Sequence, residues 1–137
     1  MKKNNNNAGL ELLFLLRHQR YLYHQLKILT DRQQQLAGVN SPELLLEVVS
    51  GRRKLVEKLR ELDDKLRPVK ANWQEFSSQI ETEYKYQAYE MVNHVQKIID
   101  QISTAVSPET ARNLPLQQDW KFDELSAETK AGLPFCQ

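Results

Sequence analysis

The chain has three histidines, a residue type often used for metal binding and proton transfer, but their spacing does not assemble a site. His18 and His24 are six residues apart, and His94 lies far along the sequence. Two ligands four residues apart share one face of a helix and can bind one zinc ion, whereas a separation of six places them on different faces. We therefore expect surface or partly packed histidines and no metal site.

The other chemically versatile side chains are no better placed. Ser77 and Ser78 have no acid–base partner near them in the sequence, and no glycine-rich phosphate loop or nucleophile elbow is present. Asp63 and Asp64 are adjacent, so they point to different faces and are a poor pair for acid–base work. The sequence predicts no catalytic residue, no cofactor and no enzyme.

Three tyrosines within six residues, Tyr84, Tyr86 and Tyr89, are the next candidate site. Tyr84 fits the apolar stripe described below, whereas Tyr86 and Tyr89 lie off it. Such amphipathic aromatics either anchor a protein partner or pack against the first helix. Stacking on single-stranded nucleic acid is disfavoured because glutamates flank the tyrosines and would repel a phosphate backbone.

The end of the chain carries large apolar residues, Trp120, Phe122 and Leu125, among polar ones. Leaving such a side chain exposed is unfavourable by ~1.5–3 kcal/mol relative to burying it. Two interpretations stay open: these residues pack on the protein's own surface, or they belong to the element that binds a partner.

The elements that would position these residues are indicated by apolar residues that recur at alternating steps of three and four. This spacing places each set on one stripe of a helix, which must find a partner surface. The stripes, with polar interruptions at Gln19, Gln33 and Arg52, are Leu12, Leu15, Leu22, Leu26, Leu29 and Leu36; then Leu45, Val48, Leu55, Leu59, Leu62 and Leu66; then Trp73, Phe76, Ile80, Tyr84, Ala88, Met91, Val95, Ile98 and Ile102.

Local signals set the boundaries of the first half. Residues 1–8 have no apolar pattern and are expected to form a disordered leader. Helix 1 is expected from about Gly9 to Ala37, with Gly38 in the left-handed conformation that often closes helices. Ser41-Pro42-Glu43 predicts the start of helix 2, with a capping serine, a proline at the first helical position and an acidic first turn.

Pro68 is expected to end or kink helix 2. Helix 3 should then run from about Val69 to Ala105, and Ser107-Pro108-Glu109 repeats the capping pattern and suggests one more short helix. Most of residues 110–137 is expected to be a mobile tail. The predicted organisation is a leader over 1–8, a helical bundle domain over 9–106 and a C-terminal tail over 107–137.

Together these elements predict an all-α fold, an antiparallel three-helix bundle or coiled coil with a long third helix and a flexible C-terminal tail. The sequence has more apolar residues than three helices can bury along one stripe each. We therefore expect an apolar groove that is left open for another helix. It should lie where helix 3 extends beyond the reach of helix 2. The candidate partner-binding residues are Tyr89, Met91, Val95, Ile98, Ile102, Trp120 and Phe122.

The length and the net charge of the chain restrict the possible functional classes of the protein further. At 137 residues the chain has room for one domain, and its formal net charge of +1 argues against a general affinity for nucleic acid or anionic membranes. No stretch approaches the ~20 apolar residues of a membrane span. Its single cysteine, Cys136, cannot form an internal disulfide. We expect a cytoplasmic protein that does not insert into membranes.

With this pattern in place, the chain resembles the FlgN family of flagellar type III export chaperones. The resemblance covers about residues 10–105 and rests on helical pattern more than on fixed residues. The stretches that carry it are the Gln-rich end of the first helix, Asp31–Leu36 (DRQQQL), the second helix around Leu45–Val56 (LLEVVSGRRKLV), Pro68 followed by Trp73, and Val95–Ile99 (VQKII) in the third helix.

The resemblance implies a non-enzymatic chaperone that holds hook–filament junction proteins in the cytoplasm before secretion. Its clients would present an amphipathic helical segment to a hydrophobic groove, and the export apparatus would be a further partner. Such a protein is expected to be a monomer or weak homodimer. The alternative is a coiled-coil scaffold or adaptor that self-associates through the same stripes, with Gln19, Gln33 and Arg52 in the seam.

Overall fold

The structure, a computed structural model, describes residues 2–118 and 120, with side chains from residue 7 onward. Within this part of the chain every regular element is a helix, which confirms the all-α bundle. The elements are α1 (Lys2–Gln35), a 3₁₀ turn (Leu36–Gly38), α2 (Pro42–Ala71), α3 (Trp73–Ser78), α4 (Thr82–Ala105) and α5 (Pro108–Arg112).

Helix α1 is the centre of the bundle. It packs along both α2 and α4, whereas α2 and α4 make few contacts with each other. The apolar stripes meet in a single core because one face of each helix is nearly free of polar residues. The most deeply buried side chains are Leu12, Leu16, Leu26, Leu59, Leu66, Trp73, Val95, Ile99 and Ile102.

The first helix starts earlier and ends differently from the prediction. It begins at Lys2, so residues 2–8, expected as a disordered leader, lie in α1. Gly9 is buried where α1 meets α4, and a Cβ placed there would lie 2.4 Å from Cδ2 of Tyr84. The left-handed cap at Gly38 is wrong, because no described glycine has a positive φ and Gly38 instead lies in the 3₁₀ turn.

The second helix continues through Pro68 to Ala71. A proline in a helix removes one backbone hydrogen bond and normally ends or bends the helix. Here the last turn is held by a contact within the helix, from Lys70 beyond the proline to Asp63 before it, and by the burial of Trp73 directly afterwards. The start of α2 is as predicted, although the Ser41 side chain makes no capping hydrogen bond.

The region predicted as helix 3 is divided. Val69 belongs to α2, α3 follows as a short helix, and α4 starts only at Thr82. Ile80 lies in the break between α3 and α4 and is buried. The short helix suggested after residue 106 is confirmed as α5, where the Ser107 hydroxyl accepts a hydrogen bond from the Thr110 amide at 3.2 Å.

Candidate functional site

The residues predicted to bind a partner along the third stripe are part of the core. Met91, Val95, Ile98 and Ile102 are 8, 0, 5 and 0% exposed. The prediction that this stripe is left open is wrong, because α1 packs along the buried face of α4. A role of these four side chains in binding a partner stays a prediction, and it requires the bundle to open.

The remaining predicted site residues have different environments. Tyr89 and Trp120 are half-buried and both contact Trp73. Phe122 lies outside the described residues. The structure therefore brings Tyr89 and Trp120 together around a third aromatic residue, Trp73, which the sequence indicated only as a core position.

A groove does exist, on a different part of the bundle. It runs over α1 between α2 and α4, and we call it the central groove. Residues 114–118 together with Trp120, which we call the docked segment, lie in it without helical structure. Leu114 is buried next to Val56 of α2, and Leu116 is half-buried against the core. The chain thus fills its own groove with apolar side chains.

Polar contacts attach the docked segment to two sides of the groove. From α1, the Tyr23 hydroxyl donates to the carbonyl of Pro115. From α4, the Val92 carbonyl and the Gln96 side chain each accept from Nε2 of Gln118, both at 3.2 Å. The backbone of the segment makes only one of these hydrogen bonds, so side chains hold it in place.

An aromatic cluster holds the far end of the docked segment against α2 and α3. The ring centroids of Trp73 and Trp120 are 5.6 Å apart and nearly perpendicular, and Trp73 also contacts Phe76 and Tyr89 at 6.1 and 5.8 Å. The ammonium group of Lys70 lies 5.6 Å from the Trp120 ring centroid. Edge-to-face pairs and cation–π contacts each favour this geometry.

Lys70 is an unusual member of this cluster because it is a buried cation. Its side chain is 6% exposed and pairs with the partly exposed carboxylate of Asp63. Asp63 in turn lies 3.7 Å from Arg67, which also pairs with Asp64 at 2.8 Å on the surface. A buried ammonium is tolerated only with such a partner.

Tyr23 is well suited to its role as a fixed donor. Burial raises the pKa of its hydroxyl above the ordinary value of 10.0, and the negative charge of Asp63 raises it further. The hydroxyl therefore stays protonated and donates to Pro115 throughout the neutral pH range.

Two of the polar interruptions in the first two stripes meet where α1 packs against α2, and the third is buried in α1. The guanidinium of Arg52 donates to Oε1 of Gln33, linking α2 to α1. Gln19 is buried in α1, and its Oε1 has no hydrogen-bond partner among the described residues. The positions expected in an intermolecular seam are thus directed into the chain's own bundle.

Large apolar residues remain exposed at two places outside the groove. The first set lies along α1 and is called the outer stripe: Leu10, Phe14, Tyr21 and Ile28, at 53, 67, 59 and 42% exposure. The second set lies between α1 and α2 and in the first turns of α2 and is called the hairpin tip: Val39, Leu44, Leu45 and Leu46. The sequence predicted surplus apolar positions but placed the open surface on the third helix.

The described residues offer nothing resembling a metal site. No group of three or more His, Cys, Asp or Glu side chains among them lies close enough to hold an ion. His18, His24 and His94 are all exposed. Among the described helices, none has the length and apolar character needed to cross a membrane.

Comparison with known proteins gives no relative: no family model matches the chain, and neither does any curated protein or solved structure. The resemblance to the FlgN family therefore rests on the residues quoted for it.

Proposed function

We propose that this protein is a non-enzymatic chaperone that binds an amphipathic helical segment of a client protein in the central groove. The client displaces the docked segment and places its apolar side chains where Leu114, Leu116 and Trp120 now lie. While the client is bound, the chaperone covers a client surface that would otherwise self-associate.

The observation that supports the proposal most directly is the way the groove is filled. Its occupant is an irregular segment that is held mainly by side chains, namely Leu114, Leu116 and Trp120 together with the amide of Gln118. A helix satisfies its own backbone hydrogen bonds and offers apolar residues at every third or fourth position. An amphipathic helix is therefore a suitable replacement for the docked segment.

The finer identification follows the resemblance to the FlgN family. On this proposal the clients are hook–filament junction proteins, the protein acts in the cytoplasm, and the client is released at the flagellar export apparatus. The bound segment is the amphipathic helical terminus of each client.

The test is calorimetric titration of the full chain with synthetic peptides of those helical termini. In the variant Leu114→Ala/Trp120→Ala the docked segment loses both of its large anchors, so the client no longer competes with it. Because the affinity of a ligand falls in proportion to the fraction of protein that is binding-competent, we expect tighter peptide binding in this variant.

The matched control is Gln117→Ala, since Gln117 lies in the same segment and is exposed. It should leave peptide affinity unchanged. Absence of binding to every junction-protein terminus would overturn the client assignment. Binding that is equally tight in the native chain and the double variant would overturn the central groove as the site.

The alternative, a self-associating scaffold, has one observation in its favour. The outer stripe gives α1 an apolar face that the described bundle leaves uncovered. The seam residues Gln33 and Arg52 do not support it, because they bond to each other within one chain. Self-association through the outer stripe and client binding in the central groove use different surfaces and are compatible.

A further inference from the structure

The outer stripe is a narrow line on α1. At about 100° per residue, Leu10, Phe14, Tyr21 and Ile28 fall within about 40° of the helix circumference. Phe14, Tyr21 and Ile28 are seven residues apart, and Leu10 precedes Phe14 by four. This is the spacing of a coiled-coil seam. Tyr23, whose hydroxyl donates to the docked segment, lies on the opposite side of α1.

The stripe also contains two exposed basic or titratable residues, Arg17 and His24. Arg17 has no ion-pair partner among the described residues. A parallel second copy would place Arg17 against the same residue of its partner, and like charges in contact are unfavourable. The charges of the stripe therefore select against one orientation of self-pairing.

An antiparallel second copy resolves this conflict. With α1 helices paired so that residue numbers across the seam add to 38, Leu10 faces Ile28 of the partner subunit and Phe14 faces the partner's His24. Arg17 then faces the partner's Tyr21, an arrangement that permits a cation–π contact. Each pairing occurs twice by symmetry, as a two-fold dimer requires.

We propose that the outer stripe is a homodimer interface in which the α1 helices of two copies pair antiparallel in this register. The seam from Leu10 to Ile28 is about 27 Å long at 1.5 Å per residue. One helix pair of this length belongs to the small interfaces, below about 1,200 Å² in total, so the dimer is weak and concentration-dependent. The central groove stays accessible on the opposite side of each copy, and the inference does not depend on the proposed client.

The first test is sedimentation velocity of the full chain from low micromolar to near-millimolar concentration. The native chain should shift from monomer to dimer, and Phe14→Glu or Tyr21→Lys should weaken association at least about tenfold, as expected for loss of an aromatic anchor. Both residues are mostly exposed, so the fold should be retained. The matched control is Leu46→Glu in the hairpin tip, which should dimerise normally.

The second test fixes orientation, using a Cys136→Ser background to remove the native thiol. A mixture of Leu10→Cys and Ile28→Cys chains should be joined by a short thiol crosslinker. Leu10→Cys alone should not be, because its two thiols are about 27 Å apart in the antiparallel pair. Self-crosslinking of Leu10→Cys would overturn the antiparallel register.

Two further results would overturn the interface itself. One is that the chain remains monomeric at near-millimolar concentration, which would mean that the outer stripe binds a different partner. The other is a dimer lost in Leu46→Glu and kept in Phe14→Glu, which would assign self-association to the hairpin tip.

Discussion

Trp120 meets Trp73 edge to face, with ring centroids 5.6 Å apart and planes at 88°. The two residues are far apart in sequence, and their contact returns the chain from the end of α5 to the junction of α2 and α3. Trp73 is fully buried and also touches Tyr89 of α4. Trp73 therefore links the docked segment to α3 and α4.

Replacing Trp120 by alanine should release the docked segment and expose one side of Trp73. Because Trp120 is half-buried, we expect a loss of about 1–3 kcal/mol in the free energy of unfolding, less than the cost for a fully buried tryptophan. Urea denaturation measures it, and Gln117→Ala is the control, with little expected change. An unchanged stability would mean that the Trp73–Trp120 contact is not formed in solution.

Tyr23→Phe should remove the hydrogen bond to Pro115 while keeping the ring in the core, lowering the free energy of unfolding by about 0.5–1.5 kcal/mol near neutral pH. The same residue predicts a pH effect. Its pKa is raised in the folded state, so its contribution is fully present below the unfolded value of 10.0 and is lost as the pH rises above it.

The slope of this loss is about 1.4 kcal/mol per pH unit for one tyrosine. Urea denaturation at several pH values from neutral to strongly alkaline should show a steeper fall for the native chain than for Tyr23→Phe. Tyr21→Phe is the control, because the Tyr21 side chain is mostly exposed. Equal slopes in the native chain and Tyr23→Phe would contradict the assigned burial effect.

Heptad-like spacing predicted which residues form the core, but not what covers each stripe. Met91 and Ile102 were correctly placed on one helical face, yet the covering element is α1, which lies along α4 from Gly9 to Gln34. A stripe identifies a buried face, whereas the helix that covers it is decided by tertiary packing.

The break before α4 and the docked segment were missed for related reasons. Phe76, Ile80 and Tyr84 continue the stripe in phase, so periodicity gives no indication that the helix is interrupted between Phe76 and Tyr84. Leu114 and Leu116 stand among polar residues and prolines, a composition typical of a mobile tail. Only the open groove between α2 and α4, a tertiary feature, gives these two leucines a place to be buried.

Substitution of glycine by alanine should have opposite effects on stability at Gly9 and at Gly51. Gly9→Ala places a Cβ 2.4 Å from the Tyr84 ring, which must move, so it should destabilise the contact between α1 and α4. Gly51→Ala meets only the side chain of Leu29, with Cδ1 at 3.2 Å and Cδ2 at 3.9 Å, and the methyl end of that half-buried side chain can shift. There the gain of about 1 kcal/mol in helix propensity should dominate.

Thermal unfolding followed by circular dichroism compares the two glycine variants directly. Gly51→Ala should unfold at a higher temperature than the native chain, and Gly9→Ala at a lower one. If Gly9→Ala were also stabilising, the close approach of α1 and Tyr84 would not exist in solution.

Asp63 and Asp64 are adjacent carboxylates with unequal roles. Asp63 balances the buried ammonium of Lys70, whereas Asp64 pairs with Arg67 in solvent. Asp63→Asn keeps the size of the side chain and an acceptor oxygen but leaves Lys70 without a counter-charge. We expect it to cost about 1–3 kcal/mol of unfolding free energy.

Asp64→Asn is the matched control, and its cost should stay below about 1 kcal/mol because exposed ion pairs contribute little. Added salt should reduce the small effect at Asp64 while changing the effect at Asp63 much less, since buried pairs are weakly screened. Urea denaturation at low and high salt measures both. Equal costs for the two variants would show that the Lys70 ammonium is solvated. The far end of the docked segment would then be held by its contact with Trp73 alone, without support from a buried Lys70–Asp63 ion pair.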